Sequence, residues 1–180
     1  MSDDLILRAA RLAAVAHQGQ NRKWDHNAEP YILHPMRVAG FVALHFASTP
    51  EMVAASWLHD AVEDARNPEA MRGMILKDTG AVVLGYVDEL TNASKQDPEI
   101  MRKPRAERKA ADRAKLATAS WESRFIKLVD RFNNLLDLDD SRDVSLVFVK
   151  TYKDESRLLL EVLKGTDAEY EARVARAIGG

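Results

Sequence analysis

Cysteine is absent from the 180 residues. That removes disulfides, thiolate metal sites and thiol nucleophiles, so any metal must be held by histidine and carboxylate side chains. No run of about 18 uncharged apolar residues occurs, and residues 1–20 lack a basic start followed by an apolar core, so neither a membrane span nor a secretory signal is predicted. The absence of cysteine suits a reducing compartment, and the expected location is cytoplasmic. Charge of one sign is also missing: 26 Lys and Arg face 28 Asp and Glu, a formal net charge of -2, without the global positive field that nonspecific nucleic-acid binding draws on. Only eight glycines are present, and none builds a Gly-x-x-x-x-Gly-Lys-Ser/Thr loop or a Gly-x-Gly-x-x-Gly turn, which argues against nucleotide binding on a Walker loop or a Rossmann turn. The chain is 46% apolar, enough for one well-buried core, and a single domain is expected.

Helical periodicity begins almost at once. Leu5, Ile6, Ala9, Ala10, Leu12, Ala13 and Ala16 recur at three- and four-residue intervals, with Asp3 or Asp4 as N-cap, and predict a first helix ending near Gly19. Residues 20–33 read as a polar loop. Pro35 suits a first helical turn, and the apolar face that follows runs to about Ser48. Thr49 or Ser48 can cap a third helix from Pro50 to about Asp64, and Asn67-Pro68 opens another that Gly80 closes. The run Ala-Val-Val-Leu-Gly-Tyr-Val is locally strand-like, yet it has no partner strand, so 81–91 is read as a buried helix. Residues 92–104 read as a mobile loop, followed by helices over 105–120 and 122–139. Amphipathic stretches over 144–163 and 167–177 complete an all-α chain of eight or nine helices, with a core over about 1–140 and C-terminal helices over 144–178.

His59-Asp60 stands four residues ahead of Glu63-Asp64, which stacks a histidine and three carboxylates on one helix face. A solvated acidic face is the ordinary reading, but acidic residues at a helix C-terminus oppose the macrodipole and invite a cation. His34 and Asp130 extend the set. Asp130 lies at the edge of the buried face of Phe125–Phe132, where a carboxylate needs a partner; Arg131 or Lys127 would serve, or a metal. His17 is read as holding a helix terminus, His45 as a packed or surface residue, and His26 as solvated. Between 102 and 115, Arg102, Lys103, Arg105, Arg108, Lys109, Arg113 and Lys115 meet only Glu107 and Asp112, which fits either an anionic partner or a solvated helix face.

Taken together, His34, His59-Asp60 and Asp130 resemble the H…HD…D signature of the HD phosphohydrolase superfamily. Four words resemble one branch of it in order: Ala16-His17-Gln18-Gly19-Gln20-Asn21-Arg22-Lys23, Pro30-Tyr31-Ile32-Leu33-His34-Pro35, Leu58-His59-Asp60-Ala61-Val62-Glu63-Asp64 and Lys127-Leu128-Val129-Asp130-Arg131-Phe132-Asn133-Asn134. These look like the hydrolase domain of the RelA/SpoT alarmone enzymes, over about residues 7–140, and the length is that of the stand-alone small alarmone hydrolases. The resemblance implies a helical HD domain and a manganese ion held by His34, His59, Asp60 and Asp130. Glu63 and Asp64 would orient or deprotonate the attacking water. It further implies a small-molecule nucleotide partner: removal of the 3′-pyrophosphate from guanosine tetra- or pentaphosphate, (p)ppGpp, to give GDP or GTP. Arg22 and Lys23 would meet the base and its phosphates, Asn134 the base, and the basic run at Arg105, Arg108 and Lys109 the pyrophosphate.

The chain also departs from that pattern. Asn133-Asn134-Leu135-Leu136 puts Leu136 where many relatives have a cation, the loop Trp24-Asp25-His26-Asn27-Ala28-Glu29 lacks a glycine, and Glu89-Leu90-Thr91-Asn92 replaces a Val-Thr word. These changes touch base and phosphate contacts rather than metal ligands, so they leave room for another phosphorylated nucleotide, such as the 2′-phosphate of NADPH, or for a sensor that binds nucleotide without turnover. No nucleic-acid or membrane partner is expected, and a homo-oligomer is compatible with the sequence.

Overall fold

The computed structural model describes residues 2–22, 29–140 and 144–179, together with side chains except those of 2–4 and 139–140. Among them are twelve helices: α1 (Ser2–Ala16), α2 (Leu33–Ala43), α3 (Pro50–Leu58), α4 (Ala61–Asp64), α5 (Pro68–Thr79), α6 (Ala81–Leu90), α7 (Ala93–Gln96), α8 (Pro98–Met101), α9 (Arg105–Ala117), α10 (Trp121–Asp140), α11 (Leu146–Leu163) and α12 (Ala168–Gly179). The fold is all-α, as the periodicity predicts. Lys23 and the loop residues Trp24 to Ala28, His26 among them, lie outside the described residues, as does the side chain of the predicted cap at Asp3 or Asp4.

Helix α3 is the centre of one half. Its Met52, Val53, Ala54, Ala55 and Leu58 are all buried, because it packs against α1, α2, α6 and α10. Thr49 accepts from Met52 N at 3.2 Å with Pro50 next to it, and Asn67 does the same for Ala70 N at 3.0 Å ahead of Pro68; such caps contribute about 1 kcal/mol each. Gly80, at φ +90°, ends α5 and starts α6, a conformation strained for any side chain with a Cβ. The segment 81–91 is helical as expected, with Val83, Val87 and Leu90 inward. The long helix α10 runs beneath the other half, burying Phe125, Ile126, Leu128, Val129 and Leu135 against α2, α6, α11 and α12.

Three expectations are corrected. The predicted single helix 50–64 is broken at His59-Asp60, and Asp60 becomes the residue preceding α4. The break is paired with a ring contact: His59 Nδ1 lies 2.8 Å from the carbonyl of Ser56. Helix α2 stops at Ala43 rather than near Ser48. The predicted loop 92–104 holds the two short helices α7 and α8, the second capped by Asp97 accepting from Glu99 N at 2.8 Å. Four-residue helices carry too little periodicity to register in sequence.

One antiparallel bridge, Asn21 to Pro30, pinches the segment between α1 and α2. Arg22 N donates to Glu29 O at 2.9 Å and Tyr31 N to Gln20 O at 2.9 Å. This pinch places Arg22 and Tyr31 side by side, with the Arg22 guanidinium 5.6 Å from the Tyr31 ring centre.

Candidate metal centre and nucleotide cavity

Three elements meet where the HD signature folds together. His34 comes from the first turn of α2, His59-Asp60 from the break between α3 and α4, and Asp130 from the middle of α10. The Nε2 atoms of His34 and His59 are 3.2 Å apart. Asp130 Oδ1 is 3.1 Å from the first and 3.6 Å from the second. Asp60 Oδ2 is 3.1 Å from His59 Nε2 and 3.8 Å from His34 Nε2. Both histidines and Asp130 are buried.

The partners behind the rings fix what the front can bind. His34 Nδ1 faces Asn133 Oδ1 at 2.7 Å and His59 Nδ1 faces Ser56 O at 2.8 Å. An Nδ1 facing an oxygen acceptor carries the hydrogen, which leaves both Nε2 atoms pointing lone pairs into one small space. Two lone pairs at 3.2 Å with two carboxylates beside them require a proton or a cation among them. The separations are those of atoms that bond a common centre at about 2.1 Å, and a set of two nitrogens and two carboxylate oxygens suits a divalent first-row metal. His34, His59 and Asp130 satisfy metal-site spacing on their own, and Asp60 adjoins them.

The electrostatics agree. Burial alone would raise the Asp60 and Asp130 carboxyls, but His59 beside Asp60, and Lys127 with both histidines beside Asp130, hold them well below the usual range. His59 is pulled down by burial and pushed further up by Asp60 and Asp130, to about 10. In the absence of a metal a proton on His59 does the cation's work.

A cavity of about 510 Å³ opens directly over this cluster. It is lined by Arg22, Asn134, Arg105, Arg108 and Lys109, so the structure brings together every described substrate-contact residue that the resemblance implies. Glu63 and Asp64 line it too. Glu63 is clamped by Asn92, whose backbone N–H donates at 2.6 Å and whose side-chain amide donates at 3.1 Å; burial, then the Asp60 charge, push its carboxyl up. Asp64 is exposed and 3.9 Å from His17 Nδ1. His17 is buried, bonds Gln20 at 2.9 Å and packs on Tyr31 at 4.8 Å between ring centres, so its side chain ties the turn after α1 to the wall of the site rather than bonding a terminal carbonyl of α1. His45 is a packing residue, against Phe125 at 4.3 Å with Asp167 at 3.2 Å.

The relatives fit this picture. A family model described as "HD domain" matches residues 9–153. The chain belongs to the HD-domain family. Proteins named guanosine-3′,5′-bis(diphosphate) 3′-pyrophosphohydrolase MESH1 are similar to this HD domain over nearly its whole length. That of Xenopus tropicalis is 32% identical over 97% of this chain and 94% of its own, and that of Homo sapiens is 31% identical over 92% and 88%. A Synechocystis protein named probable guanosine-3′,5′-bis(diphosphate) 3′-pyrophosphohydrolase is 36% identical over 75% of this chain but only 17% of its own length. A solved structure described as "A metazoan ortholog of SpoT hydrolyzes ppGpp and plays a role in starvation responses" superposes with a TM-score of 0.83 at 25% identity, over 97% of this chain and 94% of that one.

Further residues of this HD domain's site surround the cluster, most of them without a signal of their own in the sequence. Tyr31 donates to Asp60 Oδ2 at 2.5 Å. Lys127 pairs with Asp130 Oδ2 at 2.7 Å, one of the two partners its spacing allowed; the other, Arg131, turns instead to Ser156 Oγ at 3.0 Å and the Tyr152 ring at 4.5 Å. Lys95, Arg131 and Tyr152 line the cavity. Leu136 does not; it is exposed on α10.

Proposed function

We propose that this HD domain is a manganese-dependent 3′-pyrophosphohydrolase of guanosine tetra- and pentaphosphate, yielding GDP or GTP and pyrophosphate. The observation that carries the reading is the composition of the cavity over the metal centre. Arg22, Lys95, Arg105, Arg108, Lys109, Lys127 and Arg131 line it against Asp60, Glu63, Asp64 and Asp130, an excess of cations that matches a polyphosphorylated nucleotide and not a neutral substrate. Its position beside a two-histidine, two-carboxylate cluster gives hydrolysis as the reaction.

His34, His59, Asp60 and Asp130 would hold the cation, which when bound supplies positive charge that polarises phosphoryl oxygens and acidifies water. The remaining work falls to the chain. Glu63, held by Asn92 and made more basic by burial, takes a proton from the water that attacks the phosphorus next to the 3′-oxygen. The bond from that phosphorus to the 3′-oxygen breaks, the 3′-oxygen takes a proton from solvent, Glu63 returns its own to solvent, and pyrophosphate leaves intact. Asp64, with His17 behind it, orients the water. Arg108 and Lys109 neutralise the departing pyrophosphate, and Arg22 offers a guanidinium face to the base.

Metal-stripped protein incubated with guanosine tetraphosphate, with and without manganese, tests this by chromatography of the products. GDP and pyrophosphate appearing only with metal are expected. Phosphate released from NADPH with guanosine tetraphosphate untouched would move the substrate to the NADP class, and binding of either without turnover would make the protein a sensor. Repetition with magnesium in place of manganese tests the choice of metal.

A further inference from the structure

Resting on that reading of the cavity, we infer that Arg22, Asn134 and Tyr31 form a positioning triad that couples the nucleotide subsite to the metal centre. Arg22 touches no metal ligand. It nevertheless reaches both carboxylates of the cluster by two separate routes. On one side, its terminal nitrogen donates to Asn134 Oδ1 at 2.9 Å, and Asn134 Nδ2 donates to Asp130 Oδ1 at 2.5 Å. On the other, its guanidinium lies 5.6 Å from the centre of the Tyr31 ring, whose hydroxyl donates to Asp60 Oδ2 at 2.5 Å.

The chemistry of the first route admits one arrangement. Arg22 is only a donor and ionised Asp130 only an acceptor, so the Asn134 amide between them must turn its oxygen to the first and its nitrogen to the second. Both ends of Asn134 are thereby engaged. Its bond to Asp130 falls on Oδ1, the oxygen that faces the histidines, while Oδ2 goes to Lys127. A guanidinium bonded to the amide oxygen strengthens the amide N–H as a donor, because bonds in a chain polarise one another. In the second route the Tyr31 ring packs against both Arg22 and His17, the latter 4.8 Å away between ring centres, and its hydroxyl meets Asp60. Asp137 completes the geometry from the far side by accepting from the same Arg22 nitrogen at 2.6 Å.

Charge or packing at Arg22 therefore acts on how Asp60 and Asp130 present their oxygens. A nucleotide engaging Arg22 alters metal affinity, and by linkage the metal alters nucleotide affinity by the same factor. Asn134 is on this view a positioning residue first, and any contact it makes with a base is shared with that task.

A double-mutant cycle on manganese affinity alone, by titration calorimetry of full-length metal-stripped protein without nucleotide, tests the inference apart from turnover. Arg22→Gln is expected to weaken manganese binding about fivefold or more. In an Asn134→Ala, Tyr31→Phe background the same substitution is expected to add less than about twofold, since both routes are already cut. Far-ultraviolet circular dichroism and thermal unfolding of each variant identify any that fail to fold; Arg22→Lys, which keeps the charge but lacks the planar guanidinium that meets Asn134 and the Tyr31 ring, then replaces Arg22→Gln in the cycle. Unchanged manganese affinity in the Arg22 variant, or effects that simply multiply across the cycle, would overturn the coupling. Both outcomes are independent of whether guanosine tetraphosphate is the substrate, which the product assay decides.

Discussion

Lys127 Nζ lies 2.7 Å from Oδ2 of Asp130, which leaves Oδ1 of the same carboxylate to face His34 Nε2 at 3.1 Å. The two oxygens have different work, and the lysine, one turn ahead on α10, decides which does what. Burial would push the Lys127 ammonium toward its neutral form, but Asp130, Asp60 and Glu63 together hold its proton more tightly than usual. Lys127→Met leaves Asp130 buried without its counter-ion. Chemical denaturation of metal-free protein should show a loss of about 3 kcal/mol, the scale for breaking a buried pair from one side. Added manganese should recover part of it. A variant as stable as the parent without metal would show that the histidines alone neutralise Asp130.

Asn133 supports the other side of the cluster. Its buried side-chain oxygen meets His34 Nδ1 at 2.7 Å, fixing both the ring and its tautomer. Removal of such a partner commonly lowers metal affinity by about 10- to 100-fold. Asn133→Ala should fall in that range by manganese calorimetry. Asn133→Asp, which keeps the acceptor, should retain most of the affinity, and equal losses in both variants would deny the hydrogen bond its orienting role.

Glu63→Gln should separate metal from rate. The residue contacts Asn92 rather than the ligand cluster, so manganese affinity should change by less than about threefold, while kcat falls by about 100-fold or more as the base is lost. The proposed base role needs an ionised Glu63, whose carboxyl is pushed upward by burial and by Asp60. Turnover should therefore decline as pH falls through a value above the ordinary glutamate range of about 4.3, and this acid limb should vanish in the variant. A limb that survives the substitution assigns the base elsewhere.

Arg105 and Arg108 lie on the same helix but differ in what already holds them. Arg105 is bound to Glu155 through two nitrogens, at 2.7 and 3.0 Å. Arg108 meets no carboxylate among the described residues, and its guanidinium rests against Met101 Sδ at 3.7 Å. An unpaired cation gives its whole charge to a phosphate, so Arg108→Ala should lower kcat/KM for guanosine tetraphosphate about tenfold, with part of the loss in kcat because the leaving pyrophosphate is no longer neutralised, against about threefold for Arg105→Ala. Steady-state kinetics in low salt reads the difference. A larger effect at Arg105 would mean that Glu155 releases it to the substrate.

How much of this was legible in the sequence depends on the range of each signal. The four proposed ligands and the Glu63-Asp64 pair sit in short words that stand out through their resemblance to a family signature rather than through spacing alone, and α2, α10 and the break after α3 bring them together. Caps at Thr49 and Asn67 are local and were readable for the same reason. The bond from Tyr31 to Asp60 spans 29 residues and that from His34 to Asn133 spans 99; nothing in a single chain's spacing announces either. Tyr152 enters the cavity from α11, a helix that reads from its sequence as a simple amphipathic cover. Leu136 misled in the other direction. Standing where many relatives have a cation, it suggested a lost base or phosphate contact, yet the α10 face that reaches the cavity carries Lys127, Asp130, Arg131 and Asn134 instead.

The proton on His59 links metal binding to pH. Burial alone would lower this imidazole, but Asp60 and Asp130 outweigh it and carry it up to about 10, from an ordinary value of 6.5. A raised histidine stabilises the folded metal-free protein fully below about pH 6.5 and loses that contribution as pH climbs through about 10. Metal-free stability should thus decline across that window, and bound manganese, which replaces the proton, should flatten the decline. The same exchange requires that manganese expel about one proton near pH 7, so that its affinity rises by about tenfold per pH unit over the window. Calorimetry in two buffers of different ionisation heat measures the number directly. A heat of binding that is the same in both buffers would mean that no proton is displaced and that His59 is already neutral when the metal arrives.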